Sequence, residues 1–181
     1  MMRLLLWLLG GVLLGGIVHL ATVLWLPHTA TQDAYSRLQQ IAPINAVTAL
    51  PAPAPDKVLL PFMDPAFATA VCRYDLAKGP LQFSLNVSQA YTSVSFYTRF
   101  GIAYYAINDR AAGRRVIQLD LMTEKQHSEM PQDEDVTTAD RLIVESPTLT
   151  GLIVLKALAP EPGLMTMAQE ALATARCRQQ P

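Results

Sequence analysis

Residues 91–109 read YTSVSFYTRFGIAYYAIND, and this stretch decides the fold class. From Tyr91 to Thr98 the residues alternate. Thr92, Val94 and Phe96 fall on one face, and Tyr91, Ser93, Ser95 and Tyr97 on the other. A period of two belongs to a strand with two unlike faces. Arg99-Phe100-Gly101 interrupts the alternation, with Gly101 free to take positive φ, and residues 102–108 return as the partner strand of a hairpin. Asn108-Asp109-Arg110, followed by Ala-Ala-Gly113, is turn chemistry, because short polar side chains hydrogen-bond the backbone near them.

The same pattern extends in both directions. A turn or short helix at Asp64–Ala68 leads into a strand through Leu76, and Lys78-Gly79-Pro80 breaks it. Leu81, Phe83, Leu85 and Val87 then alternate with Gln82, Ser84 and Asn86. RRVIQLDL (114–121), RLIVES (141–146) and GLIVLKAL (151–158) are three further strands. Strands at this spacing with turn signals between them predict an antiparallel β-sandwich or jelly-roll-like domain. After Pro162-Gly163 the sequence LMTMAQEALATARC reads as a C-terminal helix, with Leu164, Ala168, Leu172 and Ala175 as its apolar stripe. The class is mainly β, of α+β type.

The N-terminus obeys a different rule. Leu4–Leu26 is 23 residues without a formal charge. At ~1.5 Å per residue this is roughly 34 Å of helix, enough for a bilayer core of about 30 Å. It exceeds the ~7–15 apolar residues of a signal peptide and no clear cleavage site follows, so it reads as an uncleaved single-pass anchor. Arg3 and the amino terminus precede it, which places the N-terminus in the cytoplasm and the rest of the chain in the periplasm of a bacterial inner membrane. Trp7, Gly11, Gly15 and His19 recur every four residues and share a helix face suited to a second helix. The alternative is that the glycines are ordinary for a membrane helix and His19 reaches the headgroups. A haem-ligand role for His19 needs a partner ligand that the chain does not show.

Asp33 caps a short helix through about Gln40, with Leu38 and Ile41 on one side. The Pro/Ala-rich run up to Pro61, including Pro51-Ala-Pro-Ala-Pro55, favours extended polyproline conformation and reads as a semi-rigid spacer. The expected divisions are an anchor at 1–27, a juxtamembrane helix and linker at 28–60, and a periplasmic β-domain at 61–181.

Cys72 lies on the first strand of that domain and Cys177 at the end of its tail helix. With no third cysteine to compete, an oxidising compartment predicts a disulfide between them; two buried thiols are the alternative. The net charge is −1, from 14 basic and 15 acidic residues without a basic face, which argues against nucleic acid as a partner. The three histidines are scattered and no His/Cys spacing suits zinc. Glu124, Glu129 and Asp133–Asp135 form an acidic run without the spacing of a calcium loop, and it reads as a solvated loop. There is no Gly-x-Ser-x-Gly, no phosphate loop and no His-centred triad, so no catalytic residue, metal or cofactor is implied. The one candidate pocket is Tyr105, Asn108, Asp109 and Arg110, binding a small ligand, with Arg114 and Arg115 as a further anion contact. Cross-strand pairing and turn formation account for the same residues without a ligand.

DPAFATAVCRYDLAKGP (64–80), SVSFYTRFGIAYYAINDRAAG (93–113), LIVESPTLTGLIVLKALAPEP (142–162) and the terminal ARC (175–177) together resemble a family of small proteobacterial inner-membrane proteins. That family is known as domain of unknown function 1254. It is similar to one part of larger two-part proteins whose other part is a companion family, domain of unknown function 1214. The resemblance therefore implies a protein partner, a small anchored protein of the companion family, and brings no catalytic residues. The expectation is a membrane-anchored, non-enzymatic subunit that assembles with another envelope protein, with a small-ligand binder or enzyme as the alternative.

Overall fold

The computed structural model describes residues 2–29, 33–54, 59–61, 63–113, 115–130 and 142–180. The chain divides into two compact units, Met1–Asp33 and Ala34–Pro181. The first is helix α1, Met2–Thr29. Its stretch Met2–Leu26 is long and apolar enough to cross a membrane, and every side chain in that stretch is exposed.

Among the described residues the second unit is built from two sheets. Its strands are β1 (Val47–Ala49), β2 (Phe67–Asp75), β3 (Leu81–Asn86), β4 (Thr92–Thr98), β5 (Ala103–Asn108), β6 (Val116–Thr123), β7 (Leu142–Ser146), β8 (Thr150–Leu158) and β9 (Arg176–Gln179). Its helices are α2 (Ala34–Leu38), α3 (Asp109–Ala112), α4 (Glu124–Ser128) and α5 (Met165–Ala173). One sheet runs in the order β1-β2-β8-β4-β5, and the other β7-β6-β3-β9. The expected alternation is present. Thr92, Val94 and Phe96 are buried while Ser93, Ser95 and Tyr97 are half-buried, and Leu81, Phe83 and Leu85 are buried on β3. These inward faces form one core with Tyr74 and Cys72 of β2, Ile153 and Leu155 of β8, Leu119 and Leu121 of β6, and Ala168 and Leu172 of α5. Phe83 and Phe96 meet edge to face across the two sheets, with centroids 6.4 Å apart.

Three features depart from the expectation. Strand β7 joins β6 in parallel, whereas every other strand pair is antiparallel. A parallel neighbour needs a crossover, which begins with α4. The tail helix stops at Ala173, and Cys177 lies on a strand instead. Residues 176–179 pair with the open edge of β3, with Phe83 opposite Cys177, so the ladder supplies backbone hydrogen bonds that a longer helix would have provided. Ala168, Leu172 and Ala175 of the expected stripe are buried, and Leu164 remains 37% exposed.

The third departure concerns the segment read as a linker. Tyr35, Leu38, Ala42 and Leu50 are buried with Val71 and Leu152 in a second cluster, while Ile41 stays exposed. Strand β1 pairs with β2, Val47 opposite Cys72. Asn45 takes φ 56°, and its side chain pairs with the backbone of Asp75 twice, at 2.9 and 3.1 Å. This residue bends the chain into the sheet, so the β-unit begins at Ala34 rather than residue 61. Residues 55–58, in the proline run, lie outside the described residues.

Cys72 and Cys177 form a disulfide across 105 residues. Because Cys177 sits on β9, the bond joins the two sheets rather than a helix to a sheet. Closing a loop of this size stabilises by about 4–5 kcal/mol in the chain-entropy model. Reduction, or Cys72→Ala with Cys177→Ala, is expected to lower the unfolding free energy by roughly that amount. Urea titration of the oxidised and reduced protein measures it.

Candidate functional site

The four pocket candidates surround the β4–β5 hairpin. Ser93–Phe96 pair with Asn108–Tyr105 in order, and the register then shifts so that Tyr97 faces Ala103. The extra residue is a bulge, which interrupts strict alternation. As a result Tyr104 and Tyr105 both lie against Phe96, with centroids 6.2 and 5.8 Å away. Asn108 is the N-cap of α3, its Oδ1 accepting from the Ala111 N–H at 2.8 Å, and Gly113 closes the helix at φ 60°. Asp109 Oδ1 accepts from the Thr92 N–H at 3.2 Å and ties the turn to the start of β4. Arg110 is exposed. Tyr105 packs inward, Asn108 and Asp109 hold backbone, and Arg110 meets solvent. Arg115 gives its carbonyl to the Val87 N–H, and Arg114 lies outside the described residues.

Two polar arrangements escaped the sequence reading. The first is a hydroxyl network at one end of the core. Ser146 Oγ donates to the Thr148 carbonyl at 2.7 Å, which leaves it an acceptor toward the Tyr74 hydroxyl at 2.9 Å. Tyr104 then donates to Tyr74 at 3.1 Å, and the Tyr97 carbonyl lies 3.2 Å from the same Tyr74 oxygen. Gly151 runs directly beneath; a Cβ there would collide with the Tyr97 carbonyl and the Tyr74 hydroxyl. Burial, and then the neighbouring Tyr74, push the Tyr104 phenol above its ordinary range. The network holds neutral hydroxyls in place and offers no nucleophile paired with a base.

The second is a stack on the outer face of the five-stranded sheet. The Tyr35 ring of α2 lies between two guanidinium groups, Arg73 at 4.5 Å and Arg99 at 4.4 Å from its centroid. Arg73 is buried; its Nη1 donates to the Ala42 carbonyl at 2.9 Å, while its Nε has no hydrogen-bond partner. Arg99 also donates to Ser36 Oγ at 3.4 Å. Cation–π contact is the attraction available to a buried arginine on a ring face. The arrangement clamps α2 against the sheet.

Two grooves of about 350 and 410 Å³ run between edge strand β1 and helix α5, sharing Ala49, Gln169, Leu172 and Ala173. The first continues toward Met63 and Phe67, and the second toward Cys177 and Arg178 of β9. No pocket candidate from the hairpin lines either one. Among the described residues no group of three or more His, Cys, Asp and Glu could hold a metal ion. Glu124 opens α4 and Glu129 ends it, 3.8 Å from Lys125; Asp133–Asp135 lie outside the described residues. In α1, Trp7, Gly11, Gly15 and His19 fall within a sector of about 120°. A Cβ added at Gly11 or Gly15 would meet nothing within 4 Å.

The fold is similar to that of the VPA0106 protein from Vibrio parahaemolyticus, at 14% identity and a TM-score of 0.59 over 81% of this chain and 34% of that one. It is also similar to an uncharacterised protein from Burkholderia cenocepacia, at 13% identity and a TM-score of 0.50 over 75% of this chain and 34% of that one. The chain thus spans about a third of the length of each, and at this identity the likeness is one of fold. No family model and no curated protein matches the chain.

Gly151→Ala is expected to cost at least about 3 kcal/mol in urea unfolding, since neither the Tyr97 backbone nor the core Tyr74 ring can yield cheaply. The raised Tyr104 phenol predicts an alkaline effect. Below the ordinary phenol value of about 10 both states are protonated; above it the unfolded chain ionises first and stability falls. Tyr104→Phe is expected to flatten that fall, read by comparing unfolding free energies near pH 8 and about pH 11.

Proposed function

We propose that this protein is a single-pass subunit of the bacterial inner membrane. Its β-unit stands in the periplasm and assembles with another envelope protein. The observation that carries this reading is the surface of α1. Seventeen large apolar side chains between Met2 and Leu26 are exposed. At about 1.5 kcal/mol each, leaving them in water costs on the order of 25 kcal/mol, more than the ~5–15 kcal/mol that stabilises a whole domain. A bilayer covers such a helix. Arg3, at its start, supports a cytoplasmic N-terminus, and the disulfide supports an oxidising compartment for the β-unit.

Gly11 and Gly15 support a helix partner within the membrane, because the open space beside them lets a second backbone approach. Outside it, the partner meets an exposed strand edge, for which β1 beside the α5 groove is suited. The resemblance to the domain of unknown function 1254 supports a companion-family protein as that partner. A ligand pocket at Tyr105–Arg110 has less support, since Asn108 and Asp109 spend their oxygens on the backbone.

Native mass spectrometry of protein extracted from its own membranes in mild detergent tests the reading. A stoichiometric second protein is expected with the wild type, and at least about fivefold less with Gly11→Leu plus Gly15→Leu. Unchanged co-purification would remove the membrane-helix contact, and a lone protein would remove the assembly.

A further inference from the structure

The β-unit leaves its large apolar side chains exposed unevenly. Thr150 pairs with Asp75, and Gly151 with Thr98, so these residues mark one end of the five-stranded sheet. The loops at this end come from adjacent strands and carry Ile41 (41% exposed), Ile44 (48%), Phe100 (43%), Ile102 (65%) and Leu149 (55%). Each is presented by a fixed backbone. Thr98 Oγ1 accepts from the N–H groups of Phe100 and Ile102, at 3.3 and 3.1 Å, and Gly101 turns the tip at φ 79°. The Leu149 carbonyl accepts from the Leu76 N–H at 2.9 Å, and Asn45 anchors the loop bearing Ile44. Such residues gain nothing from water, and no core requires them there.

Two further observations identify what covers them. Basic groups stand beside the apolar tips: Arg99 follows Thr98 in the hairpin, Arg37 lies on α2, and Lys78 lies in the β2–β3 turn. The acidic groups of this end are Asp33 before α2, Asp75, whose Oδ1 accepts from the Ala77 N–H, and Glu124, Glu129 and Glu145 of α4 and β7, with α4 tied to Leu76 by the Gln126 amide. The chain also enters the unit here. α2 is its first element, and Tyr35 and Ser36 are held against Arg99. Only residues 30–33 separate α2 from α1.

We propose that this end of the β-unit seats on the periplasmic face of the bilayer. Phe100, Ile102, Leu149, Ile41 and Ile44 enter the headgroup–acyl boundary, and Arg37 and Arg99 lie among the lipid phosphates. This rests on the anchor reading above, since α1 is what delivers the end to the membrane. An apolar rim edged with arginine is the composition that lies in a bilayer interface, buried by about 5–10 Å. The Tyr35 clamp holds α2 against the sheet at this same end of the unit.

The test uses the full chain in phosphatidylcholine vesicles with and without bromine high in the acyl chains. Phe100→Trp is placed in a Trp7→Phe, Trp25→Phe background, and Ile102→Trp is a parallel probe should the first fail to fold. Brominated lipid is expected to lower emission of either probe by about twofold, with Leu164→Trp at the opposite end unaffected. Trp25 alone, in Trp7→Phe, reports the anchor. If Trp25 is quenched and neither rim probe is, the seating is overturned while the anchor stands. If Trp25 is not quenched, the anchor reading falls and takes this inference with it. A rim probe that is blue-shifted only with a co-purified protein, and insensitive to bromine, assigns the rim to that protein and overturns the lipid proposal.

Discussion

Phe83 on β3 and Phe96 on β4 meet edge to face at 6.4 Å, and the β-unit is organised around this inter-sheet contact. An isolated sheet with one apolar face is not stable in water, and the sandwich solves this by turning two such faces toward each other. The remaining features follow from closing the gap at the sides and ends. Helix α5 contributes Ala168 and Leu172 to the shared core. Beside it, β9 takes the open edge of β3, and the Cys72–Cys177 bond holds that edge to β2. The disulfide therefore ties an edge strand of one sheet to a strand of the other.

The polar residues of the hairpin follow from the same economy. Burying β4 and β5 leaves their ends with unpaired N–H groups, and each must find an acceptor. Asp109 supplies one for the Thr92 N–H at the start of β4, and Asn108 does the same for the Ala111 N–H in α3. The bulge before Tyr97 has a similar origin. It brings the Tyr104 hydroxyl within hydrogen-bond distance of the Tyr74 hydroxyl, and Gly151 leaves the room that the Tyr74 hydroxyl needs. A dense set of tyrosines, serines and amides looks like a binding site in one dimension. In three dimensions the oxygens of Asn108 and Asp109 accept from backbone N–H groups.

The segment after α1 belongs to the β-unit. A proline- and alanine-rich run can act as a spacer only if nothing along it is buried. Here Tyr35, Leu38, Ala42 and Leu50 are buried, β1 extends the sheet, and two arginines grip the Tyr35 ring. The first elements after α1 are thus part of the folded β-unit.

Local pattern determined much of this protein. An uncharged run at Leu4–Leu26 can only be an apolar helix, because its length and composition say so residue by residue. The alternation in Leu81–Val87 and Tyr91–Thr98 defines which side chains face the core, and Gly101 and Gly113 take the positive φ that their turns require. Even the disulfide was legible, since two cysteines have one pairing. Tertiary structure decided what depends on partners distant in the chain. Whether residues 174–179 continue a helix or become β9 turns on the vacant edge of β3, some ninety residues earlier. Whether residues 34–50 form a tether or a layer turns on Arg73, Val71 and Leu152, which no local window contains. The parallel β7, the Tyr74–Tyr104–Ser146 network and the close approach at Gly151 belong to the same class. Periodicity reports which face of an element is apolar; only packing reports what that face meets.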